Sequence, residues 1–197
     1  RNEKSVPVTH QHIENELPAG VEVGILLHEL LQELIQNDRK LDDGYIQKRL
    51  LATVLEGFEL EVSKMLTEAL SVRLGDFCLT DVDRTKCFVE APFYCKGEGN
   101  KYVQGLVDLF FEHNKKFYLL DWKSNQLENY SKAGLQQEIT AQGYGLQAKM
   151  YTDAALRYLG DDHTNFGGFY FVFLRGLQDR DTQGVFFIEP TGVFTYA

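Results

Sequence analysis

From Val23 onward apolar residues recur at spacings of three and four: Val23, Leu26, Leu27, Leu30, Leu31, Leu34 and Ile35. That spacing predicts a helix with one apolar stripe. Two further helices are expected over 43–55 and 58–70. The first follows Asp42-Asp43 and is expected to bury Tyr45, Ile46, Leu50 and Leu51; the second carries Leu60, Met65, Leu66 and Leu70. Residues 1–22, broken by Pro7, Pro18 and Gly20, sustain no period and read as a flexible arm. After Gly75 the character becomes β-rich, over 77–82 and 87–90, with a turn near Asp83-Arg84. Residues 102–112 and 117–123 read as a hairpin joined by the polar His113-Asn114-Lys115-Lys116. A helical segment over 134–159, weakened at Gly143 and Gly145, precedes two last strands over 167–174 and 184–189. This order fits a single α/β or α+β domain with a mixed central sheet.

The hairpin holds the candidate chemistry. A symmetric loop over 113–116 pairs Glu112 with Phe117 and sets Asp121 opposite Asp108. Opposed β residues have Cβ atoms about 4.5–5.5 Å apart. Lys123, two residues on, shares the face of Asp121. The same face is expected to carry Leu106, Phe110, Phe117 and Leu119, and the other Val107, Leu109, Phe111, Tyr118, Leu120 and Trp122. Two apolar faces mark a central, covered element. Two facing carboxylates there repel unless a cation lies between them. Two readings follow: a divalent metal such as Mg²⁺ on oxygen ligands, or an Asp121–Lys123 ion pair at a strand end.

Charge narrows the partners. Asp and Glu number 29 against 20 Lys and Arg, a net charge of −9. This is the wrong sign for binding nucleic acid through bulk electrostatics. The turn Lys96-Gly97-Glu98-Gly99-Asn100 lacks the pattern of a phosphate-binding loop. Cys78, Cys87 and Cys95 are odd in number and without CxxC spacing, which points to free thiols in a reducing cytoplasm. No apolar run reaches transmembrane length, and the polar, Met-less N-terminus reads as part of a longer chain.

Gly105-Leu106-Val107-Asp108, Asp121-Trp122-Lys123-Ser124-Asn125 and Gln147-Ala148-Lys149-Met150-Tyr151 together resemble the PD-(D/E)xK nucleases. Within these the chain is most similar to the C-terminal nuclease domains of RecB-type subunits of exodeoxyribonuclease V. The segment from Phe166 to Gly176 and the stretch to Gln183-Gly184 extend the likeness. The resemblance implies a restriction-endonuclease-like core over 23–197, a mixed sheet flanked by helices with an N-terminal helical segment. It implies a metal-dependent DNA nuclease, with exonuclease and endonuclease action, working in recombinational repair of double-strand breaks. RecC-type and RecD-type subunits and a helicase motor delivering single strands would be its partners. His28, in Gly24-Ile25-Leu26-Leu27-His28, matches the family's helical metal ligand, and Asp108, Asp121 and the Trp122 carbonyl the others. Asp121 and Lys123 match the catalytic pair, and Gln147 and Tyr151 a helical pair beside the DNA backbone. Mg²⁺ is the implied cofactor, Mn²⁺ an alternative, and Ca²⁺ a binder supporting little cleavage. Glu90 resembles less closely an acidic position of related nucleases. Three cysteines upstream of Asp108 predict no iron–sulfur cluster. A non-catalytic scaffold of this fold and a stand-alone end-processing nuclease are the rival readings.

Overall fold

The computed structural model describes residues 16–96, 102–160, 163–177 and 183–190. Three helices come first: α1 (Val21–Gln36), α2 (Asp43–Leu50) and α3 (Glu59–Leu70). All seven stripe residues of α1 are buried. Asp42 caps α2, its side chain accepting the Tyr45 N–H at 2.8 Å. The expected burial fails at Leu51: α2 ends at Leu50, which leaves Leu51 exposed. Leu60 faces solvent from the first turn of α3. A two-stranded ribbon, β1 (Arg73–Leu74) and β2 (Phe77–Cys78), follows. The expected strand over 77–82 is thus short, and a single 3₁₀ turn at Leu79–Asp81 replaces its second half.

The central sheet contains β3 (Cys87–Lys96), β4 (Tyr102–His113), β5 (Lys116–Lys123), β6 (Phe166–Phe173) and β7 (Val185–Ile188) in chain order. It is antiparallel except for the parallel β5–β6 pair. Parallel neighbours need a long crossover, and α4 (Lys132–Ala141) and α5 (Tyr144–Tyr158) supply it. The expected helix over 134–159 is therefore two. Gly143, at φ 69°, sits between them in the left-handed conformation that a side chain disfavours. One face of the sheet (Leu109, Phe111, Leu120, Trp122, Tyr170, Val172) packs with α1–α3. The other (Val107, Phe110, Leu119, Phe169, Phe171, Phe173) packs with α4 and α5.

The face assignment of the hairpin needs one correction. Val107 and Phe110 share a core although they are three residues apart, while Leu106 is exposed. Alternation slips at Asp108. The β3–β4 ladder skips Glu90 and Asp108, and the β4–β5 ladder stops at Leu109–Leu120. Glu90 has φ 48°, so β3 kinks at the same level. The candidate active site lies at this break. The Gly-rich turn over 97–100 lies outside the described residues, as do residues 1–15 of the expected arm. Among the described residues, no helix is long and apolar enough to cross a membrane.

Candidate active site

The interrupted ladder frees Asp108 for other partners. Its Oδ2 accepts the Trp122 N–H at 2.7 Å, replacing a main-chain bond. Its Oδ1 lies 3.3 Å from His28 Nδ1. His28 reaches it because the apolar stripe of α1 holds that helix against the sheet, with His28 at the stripe's edge. Gly24 allows the close approach. A Cβ there would stand 2.7 Å from Ser124 Oγ, in the loop that continues β5.

Asp121 is only 3% exposed, on the central strand. A carboxylate so buried needs partners. Gln147 Nε2 donates to its Oδ1 at 3.0 Å, and Lys123 Nζ lies 2.5 Å from its Oδ2. Lys123 also donates to Gln147 Oε1 at 3.0 Å and stands 4.0 Å over the Tyr144 ring. Gln147 donates to the Tyr151 hydroxyl at 2.8 Å, which donates to the Leu106 carbonyl at 3.0 Å. Residues four apart on α5 share a face, so Gln147 and Tyr151 form one polar rail. His28, Asp108, Asp121, Lys123, Gln147 and Tyr151 are all brought together, with the Trp122 backbone among them. Glu90 stands at the same level of the sheet and accepts from Gln32 Nε2 at 2.9 Å.

The electrostatics follow from burial. Burial raises the Asp121 carboxyl, the charge of Asp108 adds to it, and Lys123 and His28 only partly oppose, leaving it pushed up to about 6. For His28, burial works against the protonated ring, but the hydrogen bond and charge of Asp108, with the charge of Asp121, outweigh it and the net shift is upward. The folded chain therefore holds protons that the unfolded chain has released. Asp121 favours folding at low pH, and that contribution is lost as pH rises from about 4 through about 6. His28 acts in the same sense: its stabilisation is full below the ordinary 6.5 and lost above. In chelator, the stability of Asp121→Asn relative to wild type, followed by thermal melts, should rise between pH 4 and pH 7 by about 1–3 kcal/mol. A relative fall would mean that the Asp121–Lys123 pair outweighs the cost of the buried charge.

Among the described residues, no three acidic, His or Cys side chains already converge as a formed metal site. Instead Lys123 pairs with Asp121, and His28 with Asp108. The donor set still fits a hard divalent cation, with two carboxylates and an imidazole on three elements.

Sequence reasoning missed Gln32 and Arg175. Arg175 donates to the carbonyls of Ser124 at 2.9 Å, Leu17 at 3.0 Å and Pro18 at 2.5 Å. It ties the loop after Lys123 to the chain just before α1. Its motif was visible, but a contact spanning some 158 positions leaves no local trace.

Residues 7–186 match the model of the PD-(D/E)XK nuclease superfamily, and the chain belongs to that superfamily. Among curated relatives it is similar to the RecBCD enzyme subunit RecB of Chlamydia muridarum, 36% identical over 88% of this chain. The RecB subunits of Chlamydia pneumoniae and Escherichia coli are 33% and 28% identical over 93% and 89% of the chain. The chain spans 18% of the length of each of these relatives.

Proposed function

We propose that this chain is the nuclease module of a RecBCD-type helicase–nuclease, hydrolysing phosphodiester bonds of DNA with Mg²⁺. The observation that carries the reading is the convergence of His28, Asp108, Asp121 and Lys123 at the break in the sheet, within a chain of this superfamily. His28, Asp108 and Asp121 are the side chains that would hold the metal. The carbonyl of Trp122 would join them. The N–H and C=O of a strand residue point to the same neighbouring strand, and the Trp122 N–H points to Asp108. A divalent ion held there would lower the pKa of a bound water and neutralise charge on the phosphate.

The remaining work falls to the chain's own residues. The Lys123 ammonium has three donors; Asp121 and Gln147 engage two. The third is available to orient the attacking water or to stabilise the charge of the transition state. Both amide hydrogens of Gln147 are engaged, one by Asp121 and one by Tyr151. We therefore assign Gln147 the orientation of Asp121 and Lys123, at the edge of the DNA backbone that Tyr151 also faces.

A net charge of −9 gives the module little affinity of its own for DNA. A tethered motor compensates by raising the effective concentration of strand. We place the module in the cytoplasm beside RecC-type and RecD-type subunits, acting in recombinational repair of double-strand breaks. The test is nicking of closed single-stranded DNA circles in Mg²⁺ by the 197-residue chain, expected to vanish in chelator and in Asp108→Ala.

A further inference from the structure

Beside the site, on the open edge of the sheet, lies a cavity of about 670 Å³. One side is β3, an outer strand; the others are the end of α1 and the second half of α5. Its lining is mostly apolar and rich in rings. Phe88, Tyr94 and Tyr158 line it while remaining 52%, 63% and 75% exposed. The rings are ordered by one another. Phe93 meets Tyr151 edge-on at 4.6 Å, and Phe110 meets Phe88 at 6.2 Å and Tyr158 at 5.9 Å. Arg84 also lines the cavity, and its buried Nη1 has no hydrogen-bond partner.

We propose that this groove receives the bases of the single DNA strand whose backbone is cut at the site; the inference rests on the nuclease reading above. Groove and site adjoin across a shared wall of Tyr151, Val107 and Ala91. Tyr151 lines the groove while its hydroxyl bonds Gln147 and the Leu106 carbonyl. Val107 and Ala91 also line it, each one residue from Asp108 and Glu90. A polymer held at the site and extending to this side runs along the rings. Exposed aromatic rings suit bases of any sequence, because every base has a π-face. Duplex DNA keeps those faces stacked on each other, so the groove selects single strands. The acidic chain also gains little from phosphates, whereas stacking carries no counterion-release penalty as salt rises. Arg84 supplies one cation for a backbone phosphate.

The test uses the 197-residue chain, whose two cores are built from its own residues. In Ca²⁺, binding of a fluorescent oligothymidylate and of an abasic oligonucleotide of equal length is followed by anisotropy. The wild type should bind oligothymidylate at least tenfold tighter than the abasic strand. Phe88→Ala and Tyr158→Ala should each weaken oligothymidylate binding about tenfold, leave abasic binding unchanged, and raise KM with kcat intact. Tyr158→Trp should restore binding. Both rings are exposed, and unchanged melting curves would exclude a folding effect. Equal binding of the two strands by the wild type, or an unmoved KM in both alanine variants, overturns the groove, and would leave an apolar peptide added to the β3 edge as its occupant. Cleavage with unmoved KM refutes the groove alone. Selective base binding without Mg²⁺-dependent cleavage refutes the nuclease reading alone.

Discussion

Lys123→Gln should lower the turnover of DNA cleavage about 10²–10³-fold, the cost of removing one preorganised charged donor from a transition state. The side chain is 11% exposed and sits between Asp121, Gln147 and the Tyr144 ring, so its charge is held in place beside the reacting atoms. Gln keeps a hydrogen-bonding end but no charge. The loss should lie in kcat, since the metal ligands are untouched, and Ca²⁺ should still raise the variant's melting temperature. The metal-free variant should also be less stable, because breaking a buried pair costs about 3–5 kcal/mol. Turnover is therefore compared well below the melting temperature. A fall of less than tenfold there would remove Lys123 from the catalytic step.

Arg175→Ala should be the second large effect, on stability first. One guanidinium serves three carbonyls, those of Ser124, Leu17 and Pro18. Hydrogen bonds from charged groups contribute about 1.5–3 kcal/mol each, though not additively. A loss of about 2–4 kcal/mol is expected, or some 5–15 °C in melting temperature for a chain of this size. Turnover should fall as well, because Ser124 follows Lys123 and the chain at Leu17 and Pro18 leads into α1, which carries His28. Arg175→Lys should recover only a part, since a single ammonium cannot span the fork of carbonyls. If Arg175→Ala melts with the wild type, the strap contributes nothing.

These two residues mark what was legible in the sequence. The hairpin register was, even though its loop was misjudged. The structure pairs His113 with Lys116, leaving a two-residue loop of Asn114 and Lys115, both at positive φ. Such loops usually carry Asn-Gly, and Lys115 hides the signal. Because both loops share one centre, the register survives and Asp108 still falls level with Asp121. The stripe of α1 was legible for a simpler reason: seven residues at helical spacing leave one face to bury. The kink at Glu90 and the reversal of Leu106 and Val107 were not legible. They accompany the bond of the Trp122 N–H to the Asp108 side chain, which no local pattern encodes. Arg175 and Gln32 were hidden because their partners are distant in the chain.

The most direct measurement of the central claim is single-turnover cleavage of a closed single-stranded DNA circle, which has no ends and reports internal cutting. Wild type, Asp121→Ala and Asp108→Ala are purified in parallel and assayed in Mg²⁺ and in chelator. Slow nicking by the wild type in Mg²⁺, absent in chelator and at least 10²-fold weaker in both variants, is the predicted result. Equal residual nicking by all three proteins would contradict the account and leave the chain a scaffold with a nuclease fold.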